Sequence, residues 1–165
     1  MFFWEGYINK EFYFIVCDEK SLIYVGNNKN KFDIFLKKNN ISNLQKNYNI
    51  VKLYINQIEE YFRKDRKKFV FEEKFYGTEF QKSVWSCLKN IEYGDVVSYK
   101  RVAQMLGRDT SVRAVATAIA KNPLLIFIPC HRVVASDGSL RGYSGGLELK
   151  ERLLTLEKEN KKENL

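Results

Sequence analysis

The segment Ile128-Pro129-Cys130-His131-Arg132-Val133-Val134 places the only histidine of a 165-residue chain beside one of its three cysteines. A solvated thiol, which titrates near ~8.5, is a sluggish nucleophile, and a neighbouring imidazole or basic group raises its thiolate fraction. Cys130 has His131 on one side and Arg132 just beyond. Gly142-Tyr143-Ser144-Gly145-Gly146 follows closely. The chemistry should lie at this pairing, with Cys130 as the candidate nucleophile.

Something must position that thiol, and composition bounds the options. At 19.5 kDa the chain can bury a core as one domain or two small ones. Apolar residues make up 45% and aromatics 15%, which makes it globular. Lys and Arg number 28 against 20 Asp and Glu, a net charge of +8 that suits polyanions and nucleic acid first, or a merely basic protein. Three cysteines without a CxxC fit a reducing compartment, and one histidine with scattered cysteines makes a poor zinc set. Met1 to Trp4 followed by Glu5 is too short for a signal peptide, and the apolar run Leu124 to Ile128 is far below membrane-spanning length.

Residues 2–17 and 21–26 are aromatic and β-branched and are broken by Asp18-Glu19-Lys20, which predicts a hairpin. Val51, Ile55, Ile58 and Phe62 recur at helical spacing within 43–62. The basic run 63–68 reads as a solvated helix end or linker, so a domain boundary belongs near 70–77, giving domains 1–73 and 74–165. Thr78 and Gln81 form a capping box for a helix carrying Phe80, Val84 and Leu88, on which Cys87 is an inert core thiol. A second helix follows Ser98 and stops at Gly107, and a third runs from near Thr110 to Asn122, before Pro123. Two short helices around Gly107 fit a helix-turn-helix, though many helical hairpins share the spacing.

The third helix carries Val112-Arg113-Ala114-Val115-Ala116-Thr117-Ala118-Ile119-Ala120, which offers little for reading base edges. Small residues allow close approach in a minor groove with Arg113 free to insert, or else the helix is simply buried.

Taken jointly, Gly77-Thr78-Glu79-Phe80-Gln81, Tyr93-Gly94, Ser98-Tyr99, Arg113-Ala114-Val115, Asn122-Pro123, Pro129-Cys130-His131-Arg132-Val133 and Tyr143-Ser144-Gly145-Gly146 resemble the O6-alkylguanine-DNA alkyltransferases over about residues 77–157. The resemblance implies an α+β protein, a ribonuclease-H-like α/β domain followed by a mainly helical domain with a DNA-binding helix-turn-helix. It implies stoichiometric, irreversible transfer of an alkyl group from O6-alkylguanine, and from O4-alkylthymine, to Cys130. The base would be flipped out of double-stranded DNA. No cofactor, metal or membrane enters, and the protein would work as a cytoplasmic monomer.

Site roles follow from the same resemblance. Cys130 is the nucleophile, His131 the base acting through a water, and Glu157 the carboxylate orienting His131. Asn122 gives structural support and Tyr99 donates to the guanine. Val133, Tyr143, Ser144, Gly145 and Gly146 line the substrate pocket. Arg113 is the finger that fills the vacated gap, and Ala114, Ala116, Thr117, Ala120, Lys121 and Arg132 complete the DNA-binding set.

Two positions depart from the family pattern: Ala116 stands where glycine is usual, and Gly142 where some relatives have asparagine. The competing class is an alkyltransferase-like module that binds alkylated guanine without reacting and signals to other repair pathways; Cys130 and the full length argue against it. A cysteine hydrolase would leave the small-residue helix without purpose. A transcription factor would need base-reading side chains.

Overall fold

A computed structural model of the chain describes residues 1–107 and 111–163. The chain divides into two compact units, Met1–Tyr76 and Gly77–Leu165.

The first unit begins with three antiparallel strands, β1 (Phe2–Ile8), β2 (Glu11–Cys17) and β3 (Ser21–Gly26). The expected single hairpin is therefore a three-stranded meander. The apolar run 2–17 breaks at Asn9 and Lys10, whose φ of 45° and 72° make a tight left-handed turn. Residues Tyr13 to Cys17 of β2 are all buried, as in a strand covered on both faces. On one face Phe14 stacks on Phe32 at 4.8 Å between ring centroids; Phe32 belongs to α1 (Lys29–Lys38), a helix capped by Asn28. Two short parallel strands extend the sheet: β4 (Gln45–Lys46) beside β1, and β5 (Glu72–Glu73) beside β3. Between them runs α2 (Tyr48–Phe62), which buries Val51, Tyr54, Ile55, Ile58 and Tyr61. It begins later than the apolar spacing over 43–62 allowed, at the Asn47 cap.

The second unit is mainly helical. Its first helix, α3 (Glu79–Leu88), starts at Thr78, whose hydroxyl accepts from the Gln81 amide while the Gln81 side chain accepts from the Thr78 amide. Strand β6 (Val97–Ser98) leads into α4 (Tyr99–Met105), capped by the Ser98 hydroxyl. Gly107, with φ of 65°, follows its end. Helix α5 (Val112–Ala120) comes next; the start expected near Thr110 lies outside the described residues. Trp85 of α3 donates its indole N–H to the Ala118 carbonyl of α5 at 2.8 Å, tying these helices together.

A single 3-10 turn spans Cys130–Arg132, followed by β7 (Val133–Val134) and α6 (Leu147–Glu163). β7 pairs in parallel with β6, Val97 beside Val133 and Ser98 beside Val134. This pairing sets Tyr99 next to the cysteine segment. Helix α6 buries Leu149, Lys150, Leu153, Glu157 and Asn160, positions spaced by three and four along one face. Three of those five are polar, which is unusual for a core stripe and marks where the site lies. No described helix is long and apolar enough to cross a membrane.

Candidate active site

Cys130 is buried, at 2% exposure, below a loop organised by Asn122. The Asn122 amide nitrogen donates to Cys130 Sγ at 3.0 Å and to the Ile128 carbonyl at 3.2 Å, while its oxygen accepts from the Leu124 amide at 3.0 Å. One side chain thus fixes both ends of the loop that delivers the thiol. Burial pushes that thiol up to about 11, although the Asn122 hydrogen bond and the charge of Lys150 pull it down. The thiolate enrichment anticipated from basic neighbours is corrected accordingly: desolvation outweighs them, and Cys130 rests as the thiol.

His131 is fully buried, and its Nε2 lies 2.9 Å from Glu157 Oε1. Burial lowers the imidazole pKa against the pull of that carboxylate, so the ring is neutral at pH 7. With the Nε2 hydrogen directed to Glu157, the basic nitrogen of this tautomer is Nδ1. Residues 130–132 form a 3-10 turn rather than extended backbone; at three residues per turn, successive side chains still diverge.

Glu157 collects several donors. The Gly94 amide reaches Oε2 at 2.9 Å, and Arg132 approaches through Nε at 3.0 Å to Oε2 and through Nη2 at 2.8 Å to Oε1. Burial alone would raise the carboxyl, but the hydrogen bonds from His131 and Arg132 and the charge of Arg132 overcome it and hold Glu157 well below the usual carboxylate range. Arg132 also donates to the Ile91 carbonyl at 2.6 Å and lies over the Tyr93 ring. Its place in the DNA-binding set is corrected here: Arg132 is 7% exposed, and its guanidinium is turned inward, forked onto the buried Glu157 carboxylate and the Ile91 carbonyl.

Lys150 is the residue that sequence reasoning missed. It is 1% exposed, and its ammonium donates to the Val133 carbonyl at 2.6 Å and the Arg141 carbonyl at 3.1 Å. The Tyr99 hydroxyl donates to that same Arg141 carbonyl at 2.8 Å. Burial, with Cys130 nearby, raises the Tyr99 phenol, so it remains a donor. The missed signal lay in periodicity: Lys150 shares a helical face with Leu153 and Glu157.

Above this buried group opens a cavity of about 360 Å³, whose walls include Tyr99, Arg113, Ala116, Ser136, Arg141 and Gly142. Helix α5 buries Val115, Ala118 and Ile119 and turns Arg113, Thr117 and Ala120 outward, with Lys121 exposed at its end. That is a smooth face with one large side chain. Ala114 is half-buried and joins Arg113 in a second groove, shared with Thr78 and Gln81. Of the expected pocket residues, Val133 and Tyr143 are buried, Ser144 and Gly145 are half-buried, Gly146 is exposed, and none of them lines the open cavity. Gly145 has no room for a Cβ, which would come within 2.8 Å of the Tyr143 ring. Gly142 has φ of 62°, a reason for glycine where the chain turns beneath Tyr99. Among the described residues, no three His, Cys, Asp or Glu side chains converge as a metal site.

This arrangement defines a buried-cysteine transfer protein with a smooth helical face beside its cavity. Residues 79–159 match the family model of the 6-O-methylguanine DNA methyltransferase DNA-binding domain. The inducible methylated-DNA–protein-cysteine methyltransferase of Bacillus subtilis is 38% identical over 162 residues, covering 94% of this chain and 90% of that one. The Methanosarcina acetivorans methylated-DNA–protein-cysteine methyltransferase is 40% identical, covering 85% of this chain and 87% of that one. The Mycobacterium tuberculosis O6-methylguanine methyltransferase structure superposes with a TM-score of 0.84 at 28% identity, covering 96% of this chain and 93% of that one. The chain belongs to the methylated-DNA–protein-cysteine methyltransferase family. Its reaction class is the transfer of a methyl group from DNA to a protein cysteine, a direct reversal of the damage.

Proposed function

We propose that Cys130 is the acceptor and that the substrate is O6-alkylguanine in double-stranded DNA, with O4-alkylthymine as a second base. The observation carrying this reading is the thiol of Cys130, held by Asn122 at 3.0 Å in the same core as a neutral His131 bonded to Glu157. His131 takes the thiol proton through a water, with Glu157 fixing the ring. The Sγ–carbon bond forms as the carbon–O6 bond breaks. Guanine leaves as an anion that Tyr99 stabilises by donating a hydrogen bond to the ring, and it takes up one proton to become the ordinary base. Overall the thiol hydrogen is exchanged for the alkyl group. A thioether is not hydrolysed, so each molecule acts once.

A base oxygen inside the stack cannot meet a buried sulfur, and flipping the nucleotide costs a few kcal/mol, less for a weakened alkylated pair. Arg113 fills the gap while Ala116, Thr117 and Ala120 let α5 approach the minor groove, with Lys121 near the backbone. Tyr99 exchanges the Arg141 carbonyl for the base as its acceptor. Val133, Tyr143, Ser144, Gly145 and Gly146 form the wall behind the open cavity, met once the base is seated. These groups all fall within 74–165, the DNA-binding and transfer domain, and the protein acts as a cytoplasmic monomer. A non-reacting lesion binder would have no use for Cys130 and the groups around it.

The test is a duplex carrying one O6-methylguanine labelled in its methyl group. Label should move to protein until it reaches one methyl per molecule and then stop. Turnover beyond one, or binding with no transfer, would overturn the reading.

A further inference from the structure

One cation on the cavity rim has no part in this chemistry so far. Arg141 leaves 70% of its side chain exposed on the rim it shares with Arg113, Tyr99 and Ala116. Both ends of the residue are pinned. Its carbonyl reaches inward and accepts from the Tyr99 hydroxyl and the Lys150 ammonium. Its guanidinium points outward, with Nε donating to Ser139 Oγ at 3.0 Å and Nη2 to Asp137 Oδ2 at 3.5 Å.

The turn beneath the guanidinium is closed on itself. The Ala135 amide bonds the Ser139 carbonyl at 3.0 Å and the Gly138 amide bonds the Ala135 carbonyl at 2.9 Å. Asp137 Oδ1 accepts from the Ser139 hydroxyl at 2.6 Å and the Ser139 amide at 2.9 Å. Hence Asp137 and Ser139 aim Arg141 without neutralising it tightly. The Asp137 contact is long and the carboxylate is 63% exposed, and exposed pairs of this kind hold weakly. A strong anion can take the guanidinium from it.

A nucleotide entering this cavity brings its own anions. Its base passes between Tyr99 and α5, so its flanking phosphodiesters cross the rim. We propose that Arg141 binds a backbone phosphate next to the flipped nucleotide, acting with Arg113 as a second rim arginine. Arg113 replaces the base within the stack; Arg141 holds the strand from which that base came. A planar two-nitrogen fork already seated by its own loop suits a phosphodiester better than a mobile lysine would. The inference rests on the reading of the cavity as the site of a flipped base.

The test uses the full chain with Arg141→Gln and Arg141→Lys. Affinity for a duplex carrying O6-methylguanine is measured across a salt series, and alkyl transfer is measured in parallel from the free base O6-benzylguanine, which has no phosphate. Loss of one phosphate contact should weaken duplex binding by about tenfold for Arg141→Gln and flatten the log–log salt slope by about 0.9. Arg141→Lys should keep the slope and lose only part of the affinity, and both variants should react with the free base. An unchanged salt slope, or equal losses on duplex and free base, would reduce Arg141 to a brace of its loop and overturn the proposal. If the unsubstituted protein binds the duplex but transfers nothing, the transfer reading fails while the salt slopes still decide the clamp.

Discussion

Arg132 and Glu157 grip each other inside the protein, through Nε at 3.0 Å and Nη2 at 2.8 Å, with His131 joining the same carboxylate at 2.9 Å. This pairing explains how the residue after His131 is basic and yet turned into the protein. It also sets the protonation pattern of the site. Arg132 keeps Glu157 anionic, burial keeps His131 neutral, and Lys150 supplies the charge that favours a proton leaving Cys130.

Replacing Glu157 by Gln should therefore destabilise the protein strongly. It leaves the Arg132 guanidinium buried without its counter-charge, and breaking such a pair costs about 3–5 kcal/mol. Denaturant unfolding of the two proteins gives the answer, and a difference within about 0.5 kcal/mol would deny the pair its role. The pH dependence has a definite sign. Glu157 is depressed in the folded state, so its contribution is complete above the unfolded carboxylate range and disappears as pH falls through its lower folded value. Unsubstituted protein should lose its advantage over Glu157→Gln only in acid.

Lys150→Met should raise the Cys130 thiol further, since the ammonium is one of the groups that pull it down. Alkylation by iodoacetamide as a function of pH would show the midpoint moving upward. Transfer from lesion DNA should slow about tenfold or more, with affinity for unmodified duplex unchanged. A thiol that titrates lower in the variant would contradict the assignment.

The transfer rate should be level through neutral pH and decline on the acid side. His131 is depressed below the ordinary imidazole range near ~6.5, so it remains a competent base to lower pH than a solvated histidine. Single-turnover rates from pH 5 to 9 would reveal this. A decline already under way at pH 7 would mean that a group of ordinary or raised pKa controls the step.

Methylation of Cys130 should lower the melting temperature. The thiol is 2% exposed and packed against Asn122, and an added methyl in a filled core typically costs about 1–3 kcal/mol. In a chain of this size that is a shift of several degrees. Coincident melts of reacted and unreacted protein would refute it.

What the sequence made legible is uneven for physical reasons. Thr78 with Gln81, Ser98, and the apolar spacing of Val84 and Leu88 are local signals, and the helices they announce are present where expected. Helix α1 escaped notice because Phe32, Ile34, Phe35 and Leu36 are crowded into five residues between charged ends, too short a stretch to show a helical period, and Ile34 faces outward. The Asn9-Lys10 turn was hidden because lysine seldom takes positive φ, and the two-residue strands β4 and β5 exist only through partners distant in sequence. In the site, Cys130 beside His131 was visible by chemistry alone. Lys150 was not, because a lysine in a charged helix reads as solvated. Arg132 was misplaced because its partner Glu157 lies 25 residues away in sequence, and only the fold shows that this carboxylate claims it.

If Cys130 itself carries away the alkyl group, the change is written in the protein's mass, read on the intact chain after mixing with a duplex bearing O6-methylguanine. The expected result is a gain of one methylene per molecule, complete at equimolar DNA and absent in Cys130→Ala. An unchanged mass in the native protein, or the same gain in Cys130→Ala, would contradict it.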